Sequence, residues 1–133
     1  MEFEFLISKR PVSLQTKNRA NLQNWKRFVR TEAERIWGTK PAPGEANLHL
    51  TLVYLCGDAP VDIDNIIKPI QDALIGLVYD DDKLVCDVQG HRRHLQGTFD
   101  PIKLPALVMQ GVLEGQECVY VRVVESVDLE ELL

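Results

Sequence analysis

Residues 47–56 read NLHLTLVYLC, and after a short loop residues 62–77 read DIDNIIKPIQDALIGL. The first run would be apolar on both faces of a strand and is rich in Leu, Val and Tyr, which predicts a strand in the middle of a sheet. The second run has apolar residues at helical spacing, which predicts a helix over about residues 65–77 with Asp64 as its N-cap. Because Pro69 has no amide hydrogen, we expect a kink or an irregular first turn there.

Other strands are predicted where apolar residues alternate or β-branched residues gather. They cover residues 2–8, 84–88 and 118–125. Residues 91–111 contain two prolines and favour a long functional loop, and residues 107–113 are predicted as an edge strand.

A second long helix is predicted over residues 19–37, where apolar residues have helical spacing and Gly38 follows. Residues 128–133 predict a short terminal helix. The chain has 133 residues, which is the size of one domain, and shows no internal repeat. The expected fold is therefore α+β, a single domain over residues 1–133 in which a mixed β-sheet packs against two main helices.

The composition excludes several classes of protein. Apolar residues make up 45% and charged residues 26% of the chain, as in ordinary globular domains. The cysteines Cys56, Cys86 and Cys118 form no Cys-x-x-Cys pair, so neither a zinc ribbon nor a disulfide framework is indicated. The sequence shows no signal peptide and no membrane-spanning run, which favours a cytoplasmic protein without a membrane partner.

Charge is distributed unevenly along the chain. Residues 1–40 contain nine basic and four acidic residues, a balance of +5, whereas residues 41–90 contain two basic and nine acidic ones, a balance of −7. Residues 91–133 have a balance of −3, and the whole chain has −5. This asymmetry is typical of a protein in which one region holds a polyanion and another holds cations, although a solvated basic helix would also explain the first segment.

Carboxylates gather around the second predicted helix. Asp62 and Asp64 lie at its start, Lys68 and Asp72 follow on its polar face, and the triplet Asp80–Asp82 comes after its end. Crowded carboxylates repel one another unless a cation lies among them, which points to a Mg²⁺ site that handles phosphate. The helix would be about 20 Å long, so spacing alone does not establish that the triplet meets Asp62.

Other interpretations of these acids stay open. Asp62 and the acid two residues later could form a turn and an N-cap, with a solvated ion pair and a charged turn behind them. A nucleotide-sugar Asp-x-Asp motif would rest on two residues only. An EF-hand is excluded, because its sixth and twelfth positions counted from Asp62 are Ile67 and Ala73 instead of Gly and Glu.

The stretch His91-Arg92-Arg93-His94 has three interpretations. The two histidines could ligate a metal, the four residues could form a basic loop that contacts phosphates, or the loop could simply be solvated. His49 falls within the predicted central strand and is interpreted as a sheet histidine, not a ligand.

The acidic region resembles a known family. The runs VDIDNIIKPIQDALIG over 61–76, VYDDD over 78–82 and VCDV over 85–88 are similar to the RusA family of Holliday-junction resolvases. In that family a D-x-D-N-x-x-K helix leads into D-A-L, a short spacer and an acidic pair before a strand. The segment RPVS over 10–13 is also family-like.

The resemblance implies a RusA-like fold and specific roles for five side chains. Asp62, Asp64 and Asp82 would be the essential carboxylates and Mg²⁺ ligands, and Asp81 would complete the metal cluster. Lys68 would be the essential lysine, able to neutralise phosphate charge or to position the nucleophile.

The resemblance also implies an activity and partners. The activity would be a Mg²⁺-dependent endonuclease, with Mn²⁺ as an alternative metal, that resolves Holliday junctions by paired symmetric nicks during recombination and repair in a bacterium or prophage. Two symmetric nicks need two sites, so a homodimer is expected. The alternatives are a nuclease for flaps and forks and a DNA-binding or assembly protein without turnover. Phosphate contacts are expected from nine residues: Lys9, Arg10, Lys17, Arg19, Lys26, Arg27, Arg30, Arg92 and Arg93.

Overall fold

A mixed sheet of four strands forms the centre of the molecule. The computed structural model describes all 133 residues. The strands are β1 (Glu2–Ile7), β2 (Leu48–Cys56), β3 (Val85–His94) and β4 (Cys118–Glu125), in the spatial order β1-β4-β2-β3. β4 is antiparallel to both of its neighbours, whereas β2 and β3 are parallel. β2 therefore lies inside the sheet, as its apolar run predicts, and β3 lies at an edge.

Helices cover both faces of this sheet. α1 (Arg19–Trp37) and α2 (Asp64–Leu74) pack against each other on one face, and α3 (Ala106–Glu114) lies on the other. The short α4 (Leu129–Leu132) follows β4. The α+β class, with a mixed sheet packed against two main helices, is confirmed. None of the helices combines the length and the apolar composition that crossing a membrane requires.

Strand alternation divides the core into two clusters. The larger contains 22 buried residues and joins the sheet to α1 and α2. Its members include Phe5, Leu50, Val121, Trp25 and Ile70. The smaller lies under α3 and has four buried members: Leu55, Val108, Cys118 and Tyr120. Each fully buried large side chain contributes about 1.5–3 kcal/mol, so the larger cluster fixes α1 and α2 firmly on the face that carries most of the predicted site.

Two of the sequence predictions between residues 84 and 113 are wrong. β3 extends to His94, and its exposed edge position removes the apolar alternation by which strands are recognised. Residues 107–113 form most of α3 instead of an edge strand, and this helix ends at Gly115 in the left-handed conformation. A Cβ on Gly111 would lie 2.7 Å from Sγ of Cys118, so glycine is what allows α3 to approach the sheet this closely.

α2 connects two parallel neighbouring strands, β2 and β3. The loop over residues 57–63, which leads from β2 into α2, therefore lies at the carboxyl ends of both strands. Ligand sites of parallel sheets commonly lie at such ends. The position of this loop directs attention to the start of α2.

Candidate active site

The start of α2 carries two free carboxylates. Asp62 ends the preceding loop and Asp64 is the first residue of the helix; both are exposed, and neither side chain forms a hydrogen bond or ion pair within the chain. The prediction that Asp64 is the N-cap is wrong, because Ile63 occupies that position and no side chain caps the helix. The first turn is tightened instead: the Asn65 amide donates to the Asp62 carbonyl and the Ile66 amide to the Ile63 carbonyl. Both carboxylates therefore remain available to a cation.

Pro69 lies inside α2 and explains how a neighbouring loop docks there. A helical residue at 69 would donate its amide to the carbonyl of Asn65, but proline has no amide hydrogen. The Asn65 carbonyl instead accepts a hydrogen bond of 2.9 Å from the Leu14 amide. The loop between β1 and α1, which carries Lys17, is thus attached next to the two free carboxylates. The irregular first turn expected from Pro69 is confirmed.

Lys68 joins α2 to the segment that follows the helix. Its Nζ lies 2.6 Å from Oδ2 of Asp82 and 3.0 Å from Oδ1 of Asp72, and the other oxygen of Asp72 lies 3.4 Å from Nζ of Lys26. The hydrogen bonds to Asp82 and then Asp72 raise the pKa of Lys68, and the hydrogen bond from Lys68 lowers the pKa of Asp82. Lys68 is therefore charged at neutral pH, so it can act through its charge but not as a general base.

The three carboxylates of the acidic triplet have different surroundings. Asp82 faces Lys68, the Asp81 carboxylate accepts a hydrogen bond of 2.9 Å from the Lys83 amide, and Asp80 is exposed without a side-chain partner. Asp82 opens a single 3₁₀ turn over Asp82–Leu84. The triplet thus does reach α2, through the long side chain of Lys68, which spacing could not establish.

No three His, Cys, Asp or Glu side chains of the chain come together as a metal-binding group. The donor chemistry at the start of α2 nevertheless fits Mg²⁺, which is commonly bound through one or two carboxylates and keeps several of its waters. Asp62 and Asp64 offer such carboxylates, exposed and free of other partners. The assignment of Asp62, Asp64, Asp81 and Asp82 as metal ligands stays a prediction.

Two of the nine predicted DNA-contacting residues donate to backbone carbonyls that are distant in the sequence. Arg10 donates to the Ala59 carbonyl at 2.8 Å and pairs with Glu117 at 2.6 Å. Arg30 donates to the Ile75 carbonyl at 2.6 Å, just beyond the last residue of α2, where helical carbonyls lack partners. These guanidinium groups are partly engaged before any DNA arrives.

The other seven predicted residues are held more loosely. Lys17 and Arg92 are exposed and have no side-chain partner within the chain. The rest each contact a carbonyl, an amide oxygen, a carboxylate or an aromatic ring: Lys9, Arg19, Lys26, Arg27 and Arg93. A cleft between α1 and α2 is lined by Lys26, Arg27, Arg30 and Asp72, which brings the basic face of α1 beside the Lys68–Asp72 pair.

The histidines of β3 do not form a shared metal site. His91 and His94 are three residues apart on a strand, so their side chains project to opposite faces of the sheet. His94 Nε2 lies 2.8 Å from Oδ1 of Asp58, whereas His91 lines a cleft beneath residues 98–105. His49 is a half-buried residue of β2, as its position in the central strand predicts.

Sequence reasoning missed a buried polar group beneath the loop over 57–63. Tyr54 is fully buried, and its hydroxyl lies 2.7 Å from Oε1 of Glu117. A tyrosine in an apolar strand does not indicate a hydrogen-bond partner 63 residues further along the chain. The only sequence signal for this contact is an acidic residue, Glu117, directly before the apolar run of the last strand.

Comparison with known proteins agrees with this geometry. A family model described as endodeoxyribonuclease RusA matches residues 7–98, which is more than half of the chain. The matched segment includes α1, β2, α2 and β3, and with them every predicted catalytic, metal-binding and DNA-binding residue. No curated protein matches the chain significantly. The chain belongs to the RusA family of endodeoxyribonucleases.

Proposed function

We propose that this protein is a Mg²⁺-dependent, structure-selective endonuclease that resolves Holliday junctions by paired symmetric nicks, in recombination and repair. The observation that carries the proposal is the match to the RusA family over the segment that holds the free carboxylates of Asp62 and Asp64 and the Lys68–Asp82 pair. Junction resolution is the activity that this family implies.

Each site residue has a definite task in this proposal. Asp62 and Asp64 would hold the metal, with Asp81 and Asp82 completing the cluster, and Mn²⁺ would be accepted in place of Mg²⁺. When bound, the metal acts as a Lewis acid that activates water and neutralises charge on the phosphate. Lys68, which is charged at neutral pH, would place a further positive charge beside the scissile phosphate.

The DNA would follow the cations that lie along α2. The docked loop before α1 contributes Lys17 near the start of this helix, and the cleft between α1 and α2 contributes Lys26 and Arg27 near its end. Contacts of this kind fix the position of the phosphate backbone without reading sequence. Binding should therefore weaken steeply as salt is added.

A homodimer would supply the second active site that paired nicks require. α3 favours such an assembly, because its sequence contains no charge from Ala106 to Leu113 and its outer side is uncovered. Leu113 is 83% exposed, and the nearby Ile102 is 92% exposed. Leu113→Asp should convert a dimer to monomers in analytical ultracentrifugation and replace paired nicks by single ones. A wild-type protein that sediments as a monomer on junction DNA would contradict the dimer.

The substrate is tested with labelled four-way junction, fork, flap and linear duplex, each with Mg²⁺, with Mn²⁺ and with EDTA. Symmetric nicks in the junction alone, absent in EDTA, are expected. Equal cleavage of forks or flaps would support a general nuclease for branched DNA instead. If no substrate is cut with either metal, a DNA-binding or assembly protein on the same scaffold becomes the better interpretation.

The metal-ligand assignment is tested with Asp64→Asn, which keeps size and polarity but removes the charge. Cleavage should be abolished while junction binding in a gel-shift assay is retained. Asp80→Asn is the matched control, because Asp80 is also exposed and lacks a side-chain partner. Normal cleavage by the Asp64 variant would refute the assignment.

A further inference from the structure

Glu117 lies at the centre of a polar network beside the loop over residues 57–63. Its Oε1 accepts hydrogen bonds from the Tyr54 hydroxyl at 2.7 Å and from the Gly57 amide at 3.0 Å. Its Oε2 accepts a hydrogen bond from Nη1 of Arg10 at 2.6 Å. Glu117 itself directly precedes β4, so one carboxylate connects the beginning of the last strand, the end of β1 and the start of the loop.

The network holds the loop at three points along its backbone. Besides the Gly57 amide, the Ala59 carbonyl accepts from Nη2 of Arg10 at 2.8 Å. The Val61 amide donates to the Tyr54 hydroxyl at 3.3 Å. Val61 is the residue directly before Asp62. Every second residue from Gly57 to Val61 is therefore attached to the same three side chains.

Two of the three side chains of the network are withdrawn from solvent. Tyr54 is fully buried and the side chain of Glu117 is only 17% exposed, whereas that of Arg10 is half exposed. Burial acts to raise the pKa of Glu117, but the hydrogen bonds from Gly57, Arg10 and Tyr54 outweigh it and hold that pKa below its usual value. Burial, followed by the hydrogen bond with Glu117, raises the pKa of Tyr54 to about 12. Both groups thus keep one protonation state at neutral pH, and satisfied hydrogen bonds to buried groups of this kind rigidify the backbone around them.

We infer that Tyr54, Glu117 and Arg10 are positioning residues that fix the loop over 57–63 and thereby aim the Asp62 carboxylate for divalent-metal binding. The inference rests on the proposed metal-dependent function. The start of α2 has no side-chain cap. Besides the hydrogen bond from the Asn65 amide to its carbonyl, Asp62 is therefore placed by the loop that precedes it. A metal ligand displaced by a fraction of an ångström loses affinity even when the fold is intact.

The test uses Tyr54→Phe and Glu117→Gln. The first keeps the buried ring and removes only the hydroxyl, and the second keeps the shape of the side chain but removes its charge. Asp58→Asn is the matched control, because Asp58 lies in the same loop but its side chain is fully exposed, so that its pair with the 39% exposed His94 should contribute little. Thermal unfolding establishes that each variant is folded.

Two measurements follow on the folded proteins. Hydrogen exchange without metal should speed up by about fivefold at the Val61 amide in Tyr54→Phe, which loses the hydroxyl acceptor, and at the Gly57 amide in Glu117→Gln, whose neutral amide oxygen is a weaker acceptor than the carboxylate. The dissociation constant for Mn²⁺, measured by water-proton relaxation, should rise by about fivefold in both and stay within about twofold of wild type in the control.

The possible results separate the inference from the proposed function. Faster exchange with unchanged Mn²⁺ affinity would overturn the inference, since the network would then serve stability alone. Unchanged exchange would overturn it as well. A wild-type protein that binds no Mn²⁺, or binds it equally well as Asp64→Asn, would refute the proposed metal site and the inference with it.

Discussion

Replacing Lys68 with alanine should affect activity far more than stability. The ammonium lies 2.6 Å from Asp82 and 3.0 Å from Asp72, but its side chain is 47% exposed and those of its partners are 32% and 27% exposed. Exposed ion pairs contribute about 0.2–1 kcal/mol each, and alanine is the best helix former. The free energy of unfolding should therefore fall by about 1 kcal/mol, which corresponds to a lower Tm of about 2–6 °C.

The same change should reduce cleavage far more than it reduces stability. With its pKa raised by Asp82 and Asp72, Lys68 carries its charge throughout the neutral range. Removing one preorganised charge from the transition state of such a reaction costs about 10²–10³ in kcat. Junction affinity should change little, because at most one phosphate contact among several is lost.

The assay is single-turnover cleavage of a labelled four-way junction at saturating protein, alongside urea denaturation and gel shift. Lys83→Ala is the control, since Lys83 is exposed, forms no ion pair and directly follows Asp82. Cleavage by the Lys68 variant within tenfold of wild type would refute the electrostatic role. A loss of stability well above 1 kcal/mol would instead show that the ion pairs hold the fold.

Three further predictions concern the surroundings of the site. Gly90→Ala would place a Cβ 3.1 Å from Cγ1 of Ile63, which lies between Asp62 and Asp64. The crowding should raise the Mg²⁺ concentration for half-maximal cleavage several-fold, while the free energy of unfolding changes by less than about 1 kcal/mol. An unchanged Mg²⁺ titration would contradict this. Pro69→Ala would restore an amide that competes for the Asn65 carbonyl, so the loop before α1 should become more sensitive to limited proteolysis, whereas equal cleavage rates would count against the docking role. The folded-state pKa of Glu117 lies below its ordinary value of 4.5, so its charge stabilises the protein above that pH. The difference in unfolding free energy between wild type and Glu117→Gln should therefore become smaller as the pH falls through the folded-state pKa. A difference independent of pH would refute the network.

The spacing of apolar residues in the sequence predicted those helices and strands that have one apolar and one polar face, and the strand that is apolar on both faces. β1, α1, β2 and β4 alternate or repeat in the expected way, and their predicted bounds agree closely with the structure. The strand predicted over residues 84–88 covers only the beginning of β3, because an edge strand that is mostly exposed shows no apolar alternation in its remaining residues. α3 escaped because a segment that is apolar on all sides has no period from which a strand and a helix can be distinguished.

The residues of the candidate site could be predicted from the sequence, but the long-range contacts among them could not. The spacing of Asp62, Asp64 and Lys68 fixes their order along α2, and the i,i+4 pair of Lys68 with Asp72 follows from helical geometry alone. The contact of Lys68 with Asp82 depends on how the chain turns after Leu74, which no local rule specifies. Long-range contacts of this kind are set by packing, and the sequence carries them only through resemblance to a family.

Topology explains how a chain with separated charges becomes a site with adjacent ones. The basic first third and the acidic middle lie far apart in sequence, yet α1 and α2 pack together on one face of the sheet. Two contacts make this adjacency specific: Lys26 pairs with Asp72, and the Leu14 amide takes the carbonyl that Pro69 leaves free on α2. Pro69 is therefore the reason that the loop before α1 can bond to α2 beside its carboxylates. The cations proposed to hold phosphate and the acids proposed to hold a metal come together because α1 packs against α2 and the Asn65 carbonyl is left free for the Leu14 amide.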